Sequence, residues 1–134
     1  MPALKTGDTT SRTMTITDDT IRAFAEVTGD NNPVHLDDDY AAGTRFGRRI
    51  AHGMIAAGLI SAALANDLPG PGTVYLNQTL KFKLPVFPGD TVTATIEVLS
   101  VRPDKPIATL STICTNQDDK VVLEGEAVVL YSER

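Results

Sequence analysis

Residues 50–65, IAHGMIAAGLISAALA, carry apolar or small side chains on every side of a helical wheel, interrupted only by His52 and Ser61. A helix without a wet face has to be surrounded by protein. The stretch is shorter than the roughly 20 apolar residues that a bilayer-spanning helix needs, so a membrane segment is not expected. Gly53, Gly58 and six alanines give it little bulk, which lets neighbouring strands approach its backbone. Asn66, Asp67 and the Pro-Gly-Pro-Gly run at 69–72 then end it and hand the chain to a different pattern.

From residue 74 onward the period changes from helical to alternating. Over 74–84, Leu76, Leu80, Phe82 and Leu84 share a face with Gln78, opposite Asn77, Thr79, Lys81 and Lys83. Over 91–98 the alternation is cleaner, with Val92, Ala94, Ile96 and Val98 on one side, and Pro88-Gly89-Asp90 supplies the turn between these two strands. Strands at 107–115 and 121–131, divided by the polar turn 116–120, complete the run, and a weaker strand at 10–17 is expected to form an edge. Ahead of the apolar helix, 21–27 reads as an amphipathic helix capped by Thr17, with Asp18 and Asp19 in its first turn and Gly29 ending it. A second short helix is expected to start at Asp37, followed by Asp38 and Asp39. Four successive antiparallel strands and one helix that needs cover on all sides predict an α+β domain. A curved antiparallel sheet wrapped around a buried central helix is the hot-dog architecture.

At 134 residues and 42% hydrophobic content the chain has the size of one ordinary globular domain, spanning 1–134. A net charge of −5 argues against a general nucleic-acid surface, which needs clustered cations. The first residues, MPALKTGDTTSRT, lack the positive start and apolar run of a secretory signal, and the single Cys114 fits a reducing compartment. A cytoplasmic protein is therefore expected.

Between the first two helices Asp30 lies five residues before His35, one of only two histidines. Asn31-Asn32-Pro33-Val34 separates them, and proline disfavours helix at the residue before it, so the loop can bend back. Spacing leaves two readings open. Gly-Asp-Asn-Asn-Pro is good turn material in which Asp30 bonds its own backbone; alternatively, a carboxylate and an imidazole on one loop form an acid/base pair that can act on water. The run Asp37-Asp38-Asp39 is explained by helix capping, and with two histidines and one cysteine in the chain no metal site is expected.

Phe24, Thr28, Gly29, Asp30, Asn32, Pro33, Val34, His35 and Ala41 match in order and spacing the signature of the MaoC-like hydratase 2 family of (R)-specific enoyl-CoA hydratases. The chain also resembles that family in Phe46-Gly47-Arg48, Ile50-Ala51-His52-Gly53-Met54, Leu80-Lys81-Phe82, Pro85-Val86 and Pro88-Gly89-Asp90, so the similarity covers nearly its whole length. It is most similar to the short stand-alone hydratases that feed polyhydroxyalkanoate synthesis. Arg49 departs from the pattern, since many members have proline there; it is expected to loosen the turn before the apolar helix without touching a catalytic group.

The resemblance implies reversible hydration of a trans-2-enoyl-CoA to an (R)-3-hydroxyacyl-CoA, with no cofactor, since CoA is part of the substrate. It implies that Asp30 and His35 hold the attacking water, with Asp30 as the preferred base and His35 orienting the water and relaying a proton. The backbone amide of Gly53, in the first turn of the apolar helix, suits the developing oxyanion because first-turn amides are unpaired and the helix dipole favours negative charge there. Asn32 is expected to shape the loop, His52 to fix the helix start in preference to transferring a proton, and Ser61 to line the acyl pocket, hydrogen-bond the substrate or bond back within its own helix. Arg45, Arg48, Arg49, Arg102 and Lys105 are cations available to CoA phosphates. Three rival functions stand beside this one: dehydration of a 3-hydroxyacyl group on acyl carrier protein, hot-dog thioesterase, and a non-enzymatic acyl-CoA binder. Thioesterases of this architecture often carry a carboxylate on the central helix, and 50–65 has none. Exposed sheet edges favour pairing of two copies, so a homodimer is expected.

Overall fold

The computed structural model describes residues 3–132. β1 (Thr9–Thr15) leads through the Thr17 cap into α1 (Asp18–Thr28), followed by two short helices, α2 (Pro33–Leu36) and α3 (Asp38–Ala42). α4 (Gly53–Asn66) comes next, then β2 (Val74–Gln78), β3 (Lys81–Phe82), β4 (Thr91–Val101), β5 (Ile107–Thr115) and β6 (Val121–Leu130). The strands form one antiparallel sheet in the order β1-β4-β5-β6-β2, with β3 also paired to β6. The weak first strand is an edge, as expected.

The alternation over residues 91–98 is realised in full: Val92, Ala94, Ile96 and Val98 are all completely buried. They face α4, whose Ile55, Ala56, Leu59, Ile60, Ala63 and Leu64 are buried in the same core with Leu110, Val122 and Val129. Small side chains let helix and sheet come close. Ala94 lies opposite Cys114 in the β4–β5 ladder, and the Cys114 thiol reaches the Ala56 carbonyl of α4 at 3.8 Å. Apolar burial of this extent is the main term holding a curved sheet on a helix.

Four details depart from the sequence expectation. The helix expected at 50–65 begins at Gly53, because residues 50 and 51 have extended backbone partners: Ile50 N–H donates to Val34 and Ala51 N–H to Val86. α4 is not covered on every side either; Met54 and Gly58 are exposed, along a stripe continued by the half-buried Ser61. Uniform apolarity here reflects a core on one side and an open apolar cleft on the other. The strand expected at 74–84 is split into β2 and β3, with a bulge between Tyr75 and Asn77. As a result Leu76, Phe82 and Leu84 stay exposed while Leu80 packs on the core. At the split the Thr79 carbonyl lies so close over Gly125 that a Cβ there would overlap it. Finally, the loop between α1 and α3 contains a full helical turn, α2, that the proline concealed: Pro33 occupies the first turn, where its missing N–H costs nothing. Among the described residues no helix is long and apolar enough to cross a membrane.

Candidate active site

α1 delivers the chain to the site. Its start is fixed by Thr17, whose hydroxyl accepts from the Thr20 amide, and its end by Gly29 in the left-handed region at φ 79°. The Thr28 hydroxyl donates to the Phe24 carbonyl at 2.7 Å and accepts from the Asp30 amide at 3.2 Å, locking the first residue beyond the helix. Asp30 Oδ1 accepts from the Asn32 amide at 3.3 Å, and Asn32 Oδ1 accepts from the Val34 amide at 3.2 Å, capping α2. Turn chemistry and a functional carboxylate are therefore not alternatives here. The turn ties one oxygen of Asp30 to its own loop, and Asn32 has the loop-shaping position expected of it.

α2 carries His35 into a nearly buried position. Its Nδ1 lies 2.8 Å from the Ile50 carbonyl, which can only accept, so the proton sits on Nδ1 and Nε2 carries the lone pair. Burial lowers the His35 pKa below its ordinary 6.5; the Ile50 bond and Asp30 pull it upward and neighbouring His52 pulls it down, but desolvation is the largest effect. The ring is thus a neutral acceptor at neutral pH. A ring nitrogen of His35, a ring nitrogen of His52 and a carboxylate oxygen of Asp30 lie within 4.8 Å of one another.

His52 caps α4 by its backbone alone, without a side-chain bond. Its ring packs at a tilt against Phe24, 4.7 Å away, and His35, 3.9 Å away between centroids. Nε2 donates to the Asp30 carbonyl at 3.1 Å, and Nδ1 is buried without a partner among the described residues. The imidazole thereby joins the Asp30 backbone to the start of α4.

An apolar cleft of about 700 Å³ opens beside these groups. Asp30, Met54, Gly58, Ser61, Tyr75 and Gln78 are among its lining residues, so the open stripe of α4 is one of its walls. Ser61 lines this cleft, half-buried. Gly53 occupies the first position of α4, beside Met54. A Cβ on Gly53 would sit 2.7 Å from the Phe82 ring. Gly58, in contrast, has open space where its Cβ would be.

Two features escaped the sequence. The Tyr75 hydroxyl donates to Gln78 Oε1 at 2.9 Å, and Gln78 Nε2 donates to the Thr79 carbonyl at 2.8 Å and the buried Thr112 hydroxyl at 3.0 Å. This chain stiffens the far wall of the cleft, and burial pushes the Tyr75 phenol up to about 12. The signal for it was Gln78, a polar residue on an otherwise apolar face. Arg49 is the second. It was expected to loosen the turn before α4, yet its guanidinium pairs with Asp18 at 2.6 Å and Asp38 at 2.8 Å and its Nη1 donates to the His35 backbone carbonyl at 3.2 Å. These carboxylates hold Arg49 with only 15% of its side chain exposed, whereas Arg102, paired with Asp104 at 2.7 Å, stays half-exposed. Arg48 stacks on Phe87, 3.9 Å from the ring centroid.

Comparison with known proteins agrees with this geometry. Residues 2–118 match the MaoC like domain family. Over 131 residues the chain is 50% identical to the (R)-specific enoyl-CoA hydratase of Rhodospirillum rubrum, covering 98% of this chain and 90% of that protein. It is 54% identical over 106 residues to the 3-hydroxybutyryl-CoA dehydratase of Methylorubrum extorquens, covering 79% of this chain and 67% of the relative. The solved structure of the (R)-hydratase from A. caviae involved in PHA biosynthesis superimposes with a TM-score of 0.94 at 45% identity, covering 98% of this chain and all of that one. With an antiparallel sheet curved around α4 and a loop that joins Asp30 to His35, the chain belongs to the MaoC-like family and has its hot-dog fold.

Proposed function

We propose that the protein catalyses reversible, (R)-specific addition of water to a trans-2-enoyl-CoA, giving an (R)-3-hydroxyacyl-CoA. The observation that carries this reading is the meeting of the Asp30 carboxylate and a neutral His35 imidazole beside an apolar cleft, in a chain similar over nearly its whole length to (R)-specific hydratases.

Hydration has three tasks. Water must lose a proton as its oxygen bonds to C3, a proton must reach C2, and the thioester oxygen must be stabilised as negative charge gathers on it. With Asp30 Oδ1 tied to the Asn32 amide, Oδ2 is free to accept from water, and His35 Nε2 presents a second acceptor. Two acceptors orient one water with its lone pair toward C3. The proton taken from water enters the Asp30–His35 pair and leaves it for C2, so O–H and the C2=C3 π bond break, C3–O and C2–H form, and there is no net oxidation or reduction. The pair lies on one side of the substrate, which favours delivery of both new bonds to the same face. The Gly53 amide, in the first turn of α4, is the donor proposed for the thioester oxygen. No cofactor is needed in this scheme beyond the CoA of the substrate.

The acyl chain fits the cleft between α4 and β2, and the product is of the kind polymerised into polyhydroxyalkanoates. The exposed Met54, Leu76, Phe82 and Leu84 beside the β2 edge support pairing of two copies, with a homodimer as the working form in the cytoplasm. Sedimentation at micromolar concentration showing monomer alone would remove the dimer from this scheme. The catalytic test is incubation with crotonyl-CoA. Loss of the conjugated enoyl absorbance with formation of the (R)-3-hydroxy product is expected; release of free CoA without hydration would identify a thioesterase instead. Running crotonyl-acyl carrier protein alongside distinguishes the carrier, with faster turnover of the CoA ester expected.

A further inference from the structure

We infer that Arg49 is a positioning residue for His35, acting through the backbone of α2. The inference rests on the reading that His35 handles water, and it concerns how that ring is held. α2 is four residues long, far below the length at which a helix is stable by itself, so its orientation has to be imposed from outside. The imposed contacts come from two consecutive residues. Ile50 N–H donates to the Val34 carbonyl at 3.2 Å, the Ile50 carbonyl accepts from His35 Nδ1 at 2.8 Å, and Arg49 Nη1 donates to the His35 carbonyl at 3.2 Å. The His35 residue is therefore gripped at both its side chain and its main chain.

Arg49 can do this because it is itself held. Its side chain is largely buried, Nη1 also meets Asp18 Oδ1 at 2.6 Å, and Nε meets Asp38 Oδ1 at 2.8 Å. Asp18 lies in the first turn of α1 and Asp38 in the first turn of α3, where a carboxylate is favoured by the helix dipole; the guanidinium sits at the C-terminal end of α2, where a cation is favoured. One planar group thus joins three helix ends around the residue that carries the catalytic ring. A lysine has a single ammonium and cannot reproduce this fork.

The test compares Arg49→Ala, Arg49→Lys and Arg22→Ala with the unaltered enzyme on crotonyl-CoA. Arg22 also pairs with Asp18, at 2.8 Å, but makes no hydrogen bond to His35 among the described residues, which makes it the control. Arg49→Ala is expected to lower kcat about tenfold or more with KM within about twofold, the scale on which a small misplacement of a reacting group acts. Arg49→Lys should fall between it and the parent, and Arg22→Ala should keep parental kcat. Millimolar guanidinium should partly restore Arg49→Ala and leave His35→Ala unchanged. A second readout is independent of turnover: nitrogen NMR of the His35 imidazole should show a single Nδ1–H tautomer in the parent and a mixture in Arg49→Ala. Parental kcat and an unchanged tautomer in folded Arg49→Ala would overturn the inference. If that variant fails to fold, Arg49→Lys carries the same decision on kcat and tautomer. Inactivity of the parent on crotonyl-CoA would count against the hydratase reading alone, because the tautomer comparison would still decide the role of Arg49.

Discussion

The imidazole of His35 donates from Nδ1 to the carbonyl of Ile50 across 2.8 Å, fifteen residues along the chain. That bond decides which nitrogen is left to accept, and in what form. With Nδ1 protonated and the ring largely desolvated, Nε2 is an acceptor at neutral pH, suited to take a proton from water before giving one back.

A pH dependence follows from this. The folded-state pKa of His35 lies below the ordinary 6.5, chiefly through burial. As pH falls below 6.5 the unfolded chain takes up its proton first, so this residue lowers stability across the window from 6.5 down to the folded midpoint and adds no further change beneath it. The acid limb attributable to His35 in kcat/KM should likewise lie below 6.5. A proton NMR titration placing the His35 midpoint at or above 6.5 would contradict both statements.

Asp30→Asn and His35→Ala should each lower kcat by about a hundredfold or more, the usual scale for a group that moves a proton. The asparagine keeps an oxygen for the Asn32 amide, so circular dichroism and the unfolding midpoint of Asp30→Asn should stay close to the parent. Near-normal turnover in either variant would remove that residue from the mechanism.

Gly58 faces open cleft space: among the described residues, and apart from its own helix backbone and chain neighbours, no atom lies within 4 Å of the place its Cβ would take. Gly58→Leu should fill the cleft from the α4 side. Turnover of crotonyl-CoA should survive while kcat/KM for an eight-carbon enoyl-CoA drops by about tenfold, the effect of losing room for a few methylenes. Thermal stability should not fall, since leucine is favoured over glycine in a helix by roughly 1 kcal/mol. Equal losses for both substrates would show that Gly58 does not set chain length.

Cys114 is wholly buried, and desolvation pushes its thiol up to about 12. Only the thiolate reacts quickly with disulfide reagents. Native protein at pH 8 should therefore resist labelling by such a reagent for as long as it stays folded, and urea-unfolded protein should react at once. Fast labelling of the native state would mean that the β5–α4 contact opens readily.

Gly125→Ala brings a Cβ against the Thr79 carbonyl, which is backbone and cannot swing aside. Urea unfolding should show a loss of about 1–3 kcal/mol, the range for overpacking a tight site. A change under about 0.5 kcal/mol would indicate that the β2–β3 break shifts easily to make room.

The sequence by itself determined the elements whose signals are local or periodic. The strand alternation of Val92, Ala94, Ile96 and Val98, the Thr17 and Asp37 caps, the Gly29 stop and an apolar α4 all follow from the pattern of the residues themselves. The motif from Phe24 to Ala41 carried the family and drew attention to Asp30 and His35. Tertiary structure alone decided the rest, because it depends on contacts between residues far apart in the chain. The bulge after Tyr75 reassigned the faces of β2, and the Thr79 carbonyl over Gly125 split an alternating run that has no break in its sequence. The open side of α4 became a cleft only because the sheet covers the other sides. The state of His35 was fixed by the carbonyl of Ile50 and its main chain by Arg49, neither of which carries any mark of that duty in the sequence. A carbonyl is present at every residue; only the fold determines which one meets a given imidazole.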